Sequence, residues 1–304
     1  MLNRRSLLAA SLAVSSAPLV FAQAMPLVRL GLVADAQYAD ADPLGSRFYR
    51  QSIGKLATAV EAFNRQELDL WVHLGDLIDR KWESFEEILK PVATSRHPVQ
   101  HLFGNHDFDV LDEQKEKVPG RLTLAKRYGF LDKRGFRLVF LDTTDVSTYA
   151  HAIQDERTLQ AQKRLKTLGQ QGISQAQTWN GALGSAQMSW LKGICAEAAA
   201  KKSKVIVFAH HPVFPANTHN LWNDREVMQV VEENRSIVAW INGHNHAGNF
   251  GTRAGVPYVT LQGMVETRDT TAYAFADIYP DRLILRGVGR EPSRELVFRT
   301  GSGA

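Results

Sequence analysis

The sequence contains five short apolar runs, and a patch of polar side chains directly follows each of them. The runs are LGLVA, LWVHL, VQHLF, VIVFA and VAWIN. The patches are Asp35-Ala36-Gln37, Gly75-Asp76-Leu77-Ile78-Asp79, Gly104-Asn105-His106-Asp107, His210-His211-Pro212 and Gly243-His244-Asn245-His246. In an α/β sheet, functional sites gather outside the carboxyl ends of the strands. The pattern therefore predicts that all five patches converge on one edge.

Helical patterns separate several of the apolar runs. Between the first two runs, an apolar stripe at roughly helical spacing is formed by Phe48, Ile53, Leu56, Val60 and Phe63. Helices are also predicted in WESFEEILKPVA and near LTLAKRYG. Strands that alternate with helices indicate an α/β fold with substantial parallel pairing. The last apolar runs lie closer together, as antiparallel hairpins would, and YPDRL at Tyr279–Leu283 predicts a hairpin turn.

Each polar patch has an ordinary structural explanation when it is considered alone. Asp35 or Asp76 could cap the following helix, and Asn105 could occupy a turn. His210 could be a half-buried histidine with satisfied hydrogen bonds. Five such patches at the same end of successive strands are much harder to explain in this way. Glycine precedes the polar residue in three of them, which lets the backbone approach a ligand closely.

Four of the motifs, in the order GDLID, GNHD, AHHP and GHNH, resemble those of the calcineurin-like metallophosphoesterases. Secondary motifs narrow the resemblance to the manganese-dependent ADP-ribose/CDP-alcohol diphosphatases. These motifs are ADAQYAD, RFYRQS, WNGALG, LWNDREV and VETRDTTAYAF. The resemblance implies a four-layer α/β/β/α sandwich of two mixed sheets flanked by helices, with two metal ions at the strand ends.

The resemblance also implies which side chains hold the two ions. The ligands of the first ion would be Asp35, Gln37, Asp76 and His246. The ligands of the second ion would be Asp76, Asn105, His210 and His244. The carboxylate of Asp76 would therefore bridge the two ions. His106 would lie beside them as a catalytic residue, with Asp107 as a candidate to orient its ring.

General metal chemistry agrees with this set of ligands. Two divalent ions ~3.5–4 Å apart need a shared carboxylate and several nitrogen or oxygen ligands. Mixed histidine, aspartate and amide ligands suit Mn²⁺, Fe or Zn²⁺. Gln37 offers a neutral amide oxygen where most members of the superfamily have histidine, and this change favours Mn²⁺. The alternative for Gln37 is a structural hydrogen bond within its loop.

The implied activity is hydrolysis of the pyrophosphate linkage of nucleoside diphosphate derivatives such as ADP-ribose and CDP-alcohols. A hydroxide bridging the metal ions would attack phosphorus in line, and His106 would stabilise or protonate the leaving group. Because the ions recognise only a phosphoryl group, selectivity must come from the rim of the site. Arg47 could bind the second phosphate there, and Trp222 with Asn223 could contact the base.

Two other functions are compatible with parts of this pattern. A less selective phosphodiesterase or phosphomonoesterase could use the same scaffold. A binding protein that retained a metal site without turnover would lack a ligand or His106, and neither is missing here. Nucleic-acid binding has no support, because no run of lysines and arginines is interleaved with aromatic residues.

Residues 1–24 have the pattern of an export signal. Arg4 and Arg5 precede an uncharged apolar stretch, and Ala22-Gln23-Ala24 matches an A-x-A cleavage signal. NRRSLL resembles the twin-arginine export signal, with an ordinary signal peptide as the alternative. The apolar stretch is too short and too rich in serine for a stable membrane span. The sequence thus predicts recognition by the export machinery, a periplasmic location and one calcineurin-like domain over residues 25–304.

Charge and cysteine content add two constraints. Removing Arg4 and Arg5 with the signal lowers the formal net charge from +4 to +2, which gives no strong attraction for a polyanion. Cys195 is the only cysteine, so an internal disulfide is excluded, and we expect its side chain to pack within a helix.

One long segment shows little periodicity. Residues 143–184 are rich in glutamine and threonine, and we interpret them as an insertion over one edge of the domain. Long insertions in compact domains are often lids over functional sites, but a solvated excursion is the alternative.

Overall fold

A computed structural model describes residues 25–300, and the predicted export signal lies outside the described residues. The strands, in chain order, are β1 Val28–Val33, β2 Leu70–His73, β3 Val99–His101, β4 Gly129–Lys133, β5 Phe136–Phe140, β6 Lys204–Phe208, β7 Ile237–Asn242, β8 Asn249–Arg253, β9 Val256–Thr260, β10 Ala272–Ile278, β11 Arg282–Gly289 and β12 Arg294–Val297. The α-helices are α1 Ser52–Asn64, α2 Ser84–Ala93, α3 Asp112–Lys115, α4 Val118–Arg121, α5 Glu156–Gln170, α6 Ser185–Ala200 and α7 Asp224–Glu233.

The strands form two mixed sheets of six strands each. The first sheet has the order β12-β11-β10-β1-β2-β3, in which β1, β2 and β3 are parallel to one another and the other pairs are antiparallel. The second has the order β4-β5-β6-β7-β9-β8, with a parallel centre from β5 to β9 and an antiparallel strand at each edge. The predicted parallel pairing is therefore confirmed in both sheets.

Both faces of each sheet are covered, and this makes the four layers. Successive side chains of a strand point to opposite faces. On β2, Leu70 joins the core between the sheets, whereas Trp71 joins a second core with α1 and α2. On β6, Ile206 joins the central core, whereas Val207 joins a third core with α6 and α7. The layer order is α/β/β/α, as predicted.

Two local predictions had different outcomes. The hairpin turn at YPDRL is confirmed, since the Tyr279 N–H donates to the Arg282 carbonyl at 2.8 Å between β10 and β11. The helix predicted near LTLAKRYG is wrong, because the chain from residue 122 to residue 128 is irregular. Thr123 adopts a positive φ of 56°, which is incompatible with a right-handed helix, while Leu122 and Leu124 on either side pack against the core beneath α1 and α2.

The topology brings the carboxyl ends of β1, β2 and β3 in one sheet to the same end of the sandwich as those of β6 and β7 in the other. Every polar patch singled out in the sequence follows one of these strands. Over residues 25–300 no helix is both long and apolar enough to cross a bilayer. Cys195 is buried in α6, in agreement with its predicted packing role.

Candidate metal centre

Asp76 occupies the middle of the site at the end of the sandwich. Its Oδ2 atom lies 3.1 Å from Gln37 Nε2 on one side and 3.4 Å from His210 Nε2 on the other. The side chain is almost completely buried. Asp76 therefore stands between two groups of candidate ligands, as a bridging carboxylate must.

The first group contains Asp35, Gln37 and His246. His246 Nε2 lies 3.7 Å from Asp35 Oδ1 and 3.1 Å from Gln37 Nε2. Ligand atoms of Asp35, Asp76 and His246 all lie within 4.8 Å of one another. Such spacing allows one cation to contact all three side chains.

The amide of Gln37 has an unsatisfied oxygen. Among the residues that the structure describes, none donates a hydrogen bond to its buried Oε1 atom. Its Nε2 atom faces Asp76 and His246 instead. A half-turn of the amide exchanges the two atoms and directs the oxygen to this position. Because an amide oxygen is a good ligand for a hard cation, the orphaned atom fits a metal ion here.

The second group contains His210, His244 and Asn105. His210 Nε2 lies 3.1 Å from His244 Nδ1 and 3.3 Å from Asn105 Oδ1. With Asp76 Oδ2, which lies 3.4 Å from His210 Nε2, these atoms form a mixed nitrogen and oxygen set around His210 Nε2. All seven side chains predicted to bind metal are thus brought together in two groups that share Asp76.

The other ring nitrogen of each candidate histidine ligand is held by the protein. His210 Nδ1 lies 2.8 Å from the Leu74 carbonyl, and His246 Nδ1 lies 2.7 Å from Glu266 Oε1. His244 Nε2 lies 2.9 Å from Asn180 Oδ1. Partners of this kind fix the tautomer and the ring orientation of metal-binding histidines.

The sequence analysis did not identify Glu266 or Asn180 as site residues, although both belong to motifs that it quoted. Asn180 belongs to the motif WNGALG, and Glu266 belongs to VETRDTTAYAF. Both motifs were used only for the resemblance, because nothing in their composition indicates which ligand they support.

The backbone at the site is strained. Positive φ angles occur at Asp35 (53°), Gln37 (43°), Asp76 (58°) and His244 (71°). A non-glycine residue in this region costs on the order of 1–3 kcal/mol and persists only where the surroundings enforce it. The chain thus leaves the extended conformation of the strands at the positions of four candidate ligands.

Asp107 does not orient His106, and the predicted role is wrong. Its buried carboxylate accepts hydrogen bonds from the backbone N–H groups of Asp76 (3.0 Å), Leu77 (2.8 Å) and Gly104 (2.9 Å). These contacts fasten the loop after β3 to the loop after β2. Asp107 thereby positions the backbone that carries Asp76.

His106 is oriented by Asp109 instead. His106 Nδ1 lies 2.6 Å from Asp109 Oδ2 and 3.7 Å from Asp79 Oδ1. Burial would lower the pKa of His106, but the carboxylates of Asp76, Asp109 and Asp79 outweigh it and raise the pKa to about 9. The imidazole can therefore carry a proton at neutral pH.

Two glycines allow the loops to approach one another. A Cβ atom on Gly104 would lie 2.1 Å from Asp76 Oδ1, and one on Gly75 would lie 2.5 Å from His210 Nδ1. Gly75 also has a φ of +96°. Any side chain at either position would displace a candidate ligand.

The electrostatics of the site favour a cation. Burial raises the pKa of Asp35, since its carboxylate is fully enclosed. Burial opposes ionisation of Asp76 as well, but His210 and His106 outweigh it and lower its pKa. Within residues 25–300, only histidines lie within ion-pair distance of these two carboxylates. Buried carboxylates without an arginine or lysine fit divalent ions.

A cavity of about 570 Å³ opens over the centre, and Gln37, Asp76 and His106 line its floor. Arg47 lies in its wall, with its Nε 3.9 Å from Glu266 Oε1. Trp179 also lines the cavity and is 42% exposed. This volume is within the usual range for a pocket that binds a small molecule.

The predicted rim positions of Trp222 and Asn223 are wrong. Trp222 is only 3% exposed, and its Nε1 donates to the Gln177 carbonyl at 3.0 Å. Asn223 is also buried and hydrogen-bonds both backbone groups of Leu183. Both side chains lie beneath the loop that carries Trp179, so that loop, rather than LWNDREV, forms the wall.

The predicted insertion contributes to this wall. Residues 143–184 contain α5 and supply Thr148, Tyr149, Thr178 and Trp179 to the cavity lining. His219, which sequence reasoning did not single out, lines the cavity from the loop before α7, and its ring centroid lies 5.5 Å from that of His244. Whether the segment acts as a lid stays a prediction.

The two-sheet sandwich and its buried centre of aspartate, histidine and amide side chains define a metal-dependent phosphoesterase. Residues 28–248 match the family described as calcineurin-like phosphoesterase, and the chain belongs to that family. It is therefore a metal-dependent hydrolase of phosphate esters or anhydrides, as the motifs predicted.

Named relatives agree with the narrower resemblance. The chain is 28% identical to a manganese-dependent ADP-ribose/CDP-alcohol diphosphatase of Bos taurus, over 90% of this chain and 95% of the relative. It is 30% identical to a protein of the same name from Oryza sativa subsp. japonica, over 90% and 95% of the two chains. A dimetal phosphatase from Danio rerio superposes with a TM-score of 0.83 at 26% identity, over 90% of this chain and 100% of that chain.

Proposed function

We propose that this hydrolase cleaves the pyrophosphate linkage of nucleoside diphosphate derivatives of the ADP-ribose and CDP-alcohol class, with two divalent ions. The observation that carries the proposal is the position of Asp76 between two groups of candidate ligands, 3.1 Å from Gln37 and 3.4 Å from His210. The printed activity of relatives that align with 90% of the chain supports the choice of substrate class.

Mn²⁺ is the favoured metal. Gln37 would present a neutral oxygen to the first ion, and the remaining ligands are carboxylate oxygens, an amide oxygen and imidazole nitrogens. Such a set suits Mn²⁺ better than a softer ion. Fe and Zn²⁺ are the alternatives that the same ligands would accept. The names of the relatives support manganese as well.

When bound, two divalent ions activate water and neutralise negative charge on the phosphoryl oxygens. Seven side chains of this chain would hold the ions and so fix the position of the scissile phosphoryl group. His106 lines the cavity beside Asp76, and Asp109 holds its Nδ1. The Nε2 atom therefore faces the substrate and can donate a proton to the departing oxygen.

The cavity wall provides groups for the rest of the substrate. The Arg47 guanidinium is suited to the second phosphate of a pyrophosphate, since it can present two donors to one phosphate. Trp179 provides an exposed aromatic face on which a nucleobase can stack. We assign to Trp179 the stacking role that the sequence had suggested for Trp222.

A substrate panel tests the proposal. With Mn²⁺, we expect kcat/KM for ADP-ribose or CDP-glycerol to exceed that for p-nitrophenyl phosphate by at least tenfold. This ratio needs only ~1.4 kcal/mol of differential transition-state binding. Comparable kcat/KM values for all three compounds would favour the less selective phosphodiesterase or phosphomonoesterase.

The rim assignment has its own test. Trp179→Ala should reduce the preference for the nucleotide more than it reduces activity on p-nitrophenyl phosphate. Phe130→Ala is the control, because Phe130 is similarly exposed (41%) but does not line the cavity. Equal losses on both substrates in the Trp179 variant would contradict the stacking role.

We also propose export to the periplasm by the twin-arginine route, on the basis of Arg4-Arg5 and the A-x-A signal at residues 22–24. A metal centre loaded before export would benefit from a route that carries folded proteins. Replacing both arginines by lysine should retain the protein in the cytoplasm. Unchanged export of that variant, or export from a strain without the twin-arginine translocase, would leave only an ordinary signal peptide.

A further inference from the structure

Lys55, on α1, is a buried lysine whose ammonium group lies among backbone carbonyls. The residue is 6% exposed. Its Nζ atom lies 3.0 Å from the carbonyl oxygen of Met264, 3.3 Å from that of Val265 and 3.0 Å from that of Glu266, and it also donates to the Thr267 carbonyl. Four consecutive carbonyls thus surround one positive charge, much as carbonyl oxygens surround a potassium ion in a channel filter.

Residues 264–267, which we name the carbonyl loop, contact several parts of the metal centre. The Val265 N–H donates to the Asp35 carbonyl at 2.9 Å. Glu266 Oε1 accepts from His246 Nδ1 at 2.7 Å and lies 3.9 Å from Arg47 Nε. Displacing this loop would therefore disturb the ligands of the first ion, Asp35 and His246, before those of the second.

The four carbonyl oxygens of the carbonyl loop converge on one cation, the Lys55 ammonium group. Consecutive carbonyl dipoles that point to one place repel one another, and Thr267 adds a positive φ of 61°. Burial and Arg290 lower the pKa of Lys55 to about 8, so the ammonium form still predominates at neutral pH. Removing the charge takes a donor from all four carbonyls, and the Val265 carbonyl alone of the four keeps another among the described residues, the Phe48 N–H at 2.9 Å. A carbonyl left without a donor away from water is costly.

We propose that Lys55 is a positioning residue for the first ion, acting as a built-in monovalent cation that holds the carbonyl loop and, through Glu266, the ring of His246. The inference rests on the two-ion site of the proposed function. Lys55 does not line the cavity, so a direct role in substrate binding is not involved.

Titration of the purified metal-free protein with MnCl₂ tests the proposal. We expect Lys55→Met to weaken one of two Mn²⁺ sites by ~10–100-fold, the scale for losing an outer-shell partner. The second site should keep its affinity. Glu266→Gln should weaken the same site, and the double variant should lose less than the product of the two single effects, since both act through His246.

A matched control and a rescue separate charge from general packing. Lys90→Met removes an exposed lysine whose one ion-pair partner within residues 25–300 is Glu87, and it should leave both sites unchanged. Lys55→Ala should regain Mn²⁺ affinity in ammonium or methylammonium chloride, whose cations are small donors. Choline, which has no N–H group, should not restore it.

Several results would overturn the inference. They are wild-type Mn²⁺ affinity at both sites in Lys55→Met, equal weakening of both sites, unchanged affinity in Glu266→Gln, or no difference between ammonium and choline. If Lys55→Met does not fold, the test is whether Lys55→Ala folds with and without ammonium chloride. Folding that does not depend on ammonium would contradict the proposal. If the wild-type protein binds no Mn²⁺, the proposed function itself fails. If the wild type binds two ions and only the Lys55 results differ from expectation, the positioning role alone fails.

Discussion

The Oδ1 atom of Asn180 lies 2.9 Å from His244 Nε2 and connects the segment 143–184 to the metal centre. The Asn180 amide nitrogen donates to the carbonyls of Gln175 (2.9 Å) and Thr218 (2.7 Å). These two bonds fix which atom of the amide faces the histidine. His244 must therefore carry its proton on Nε2, and its Nδ1, 3.1 Å from His210 Nε2, is left to bind a cation.

This geometry predicts that Asn180→Ala weakens Mn²⁺ binding by ~10–100-fold, because the His244 ring loses its partner. Isothermal titration of the metal-free protein measures the effect. Asn64→Ala is a matched control, since the Asn64 amide also bonds two backbone groups, Thr94 O and Arg96 N, but away from the site. Equal affinity in the two variants would show that Asn180 does not support a ligand.

Asp76→Asn removes the shared charge between the two groups of ligands. We expect both bound Mn²⁺ ions and the hydrolytic activity to be lost together, because an amide cannot replace a bridging carboxylate. Metal analysis after desalting measures the loss of the ions. Asp281→Asn, a substitution on the protein surface, is the control. Retention of two ions per chain in Asp76→Asn would contradict the bridging role.

His106→Ala separates metal binding from proton transfer. The variant should keep both ions and lose ~10²–10⁴-fold in kcat, the usual contribution of a general acid. Asp109→Asn should give a smaller loss of kcat without loss of metal, since Asp109 holds the His106 ring and is not among the candidate ligands. Loss of an ion from His106→Ala would identify His106 as a ligand instead.

Asp107→Asn should affect stability rather than orientation of the histidine. One oxygen that accepts from backbone N–H groups becomes a donor and leaves a buried N–H unpaired, so we expect the free energy of unfolding to fall by about 1–3 kcal/mol. Asp109→Asn should leave unfolding nearly unchanged, because its side chain is 44% exposed. Denaturant unfolding of the two variants compares them, and the opposite ranking would contradict these roles.

Gln37→His would restore the ligand that is commoner in the superfamily. An imidazole nitrogen is softer than an amide oxygen, so Zn²⁺ should support relatively more activity than it does in the wild type. The measurement is the ratio of kcat/KM with Mn²⁺ to kcat/KM with Zn²⁺. An identical ratio in the two proteins would show that Gln37 does not set the choice of metal.

The sequence by itself determined the fold class and the end of the sheets at which the candidate ligands lie. Parallel strands place their carboxyl ends at one edge of the sheet. Once a strand is recognised, a motif that directly follows it, such as GDLID, can be assigned to that edge. Asp35, Asp76, Asn105, His210 and His244 could be located in this way because each lies within a few residues of a strand end.

Only the tertiary structure decided which side chains support these ligands. Asp107 and Asp109 lie two residues apart, and the 3₁₀ helix at His106–Phe108 turns the first towards the backbone and the second towards the His106 ring. Trp179 and Trp222 both belong to motifs that carry the family resemblance, yet Trp179 lines the cavity and Trp222 lies beneath it. Local sequence does not encode these directions.

The supporting partners come from distant parts of the chain. Asn180 contacts a histidine 64 residues away, and Lys55 contacts a carbonyl loop about 210 residues away. Such contacts depend on how α1, the segment 143–184 and the loop after β9 pack around the two sheets. The end of a strand can be recognised from the local periodicity of the sequence. A contact between remote loops forms only when the whole sandwich has folded, because tertiary packing determines which side chains then meet.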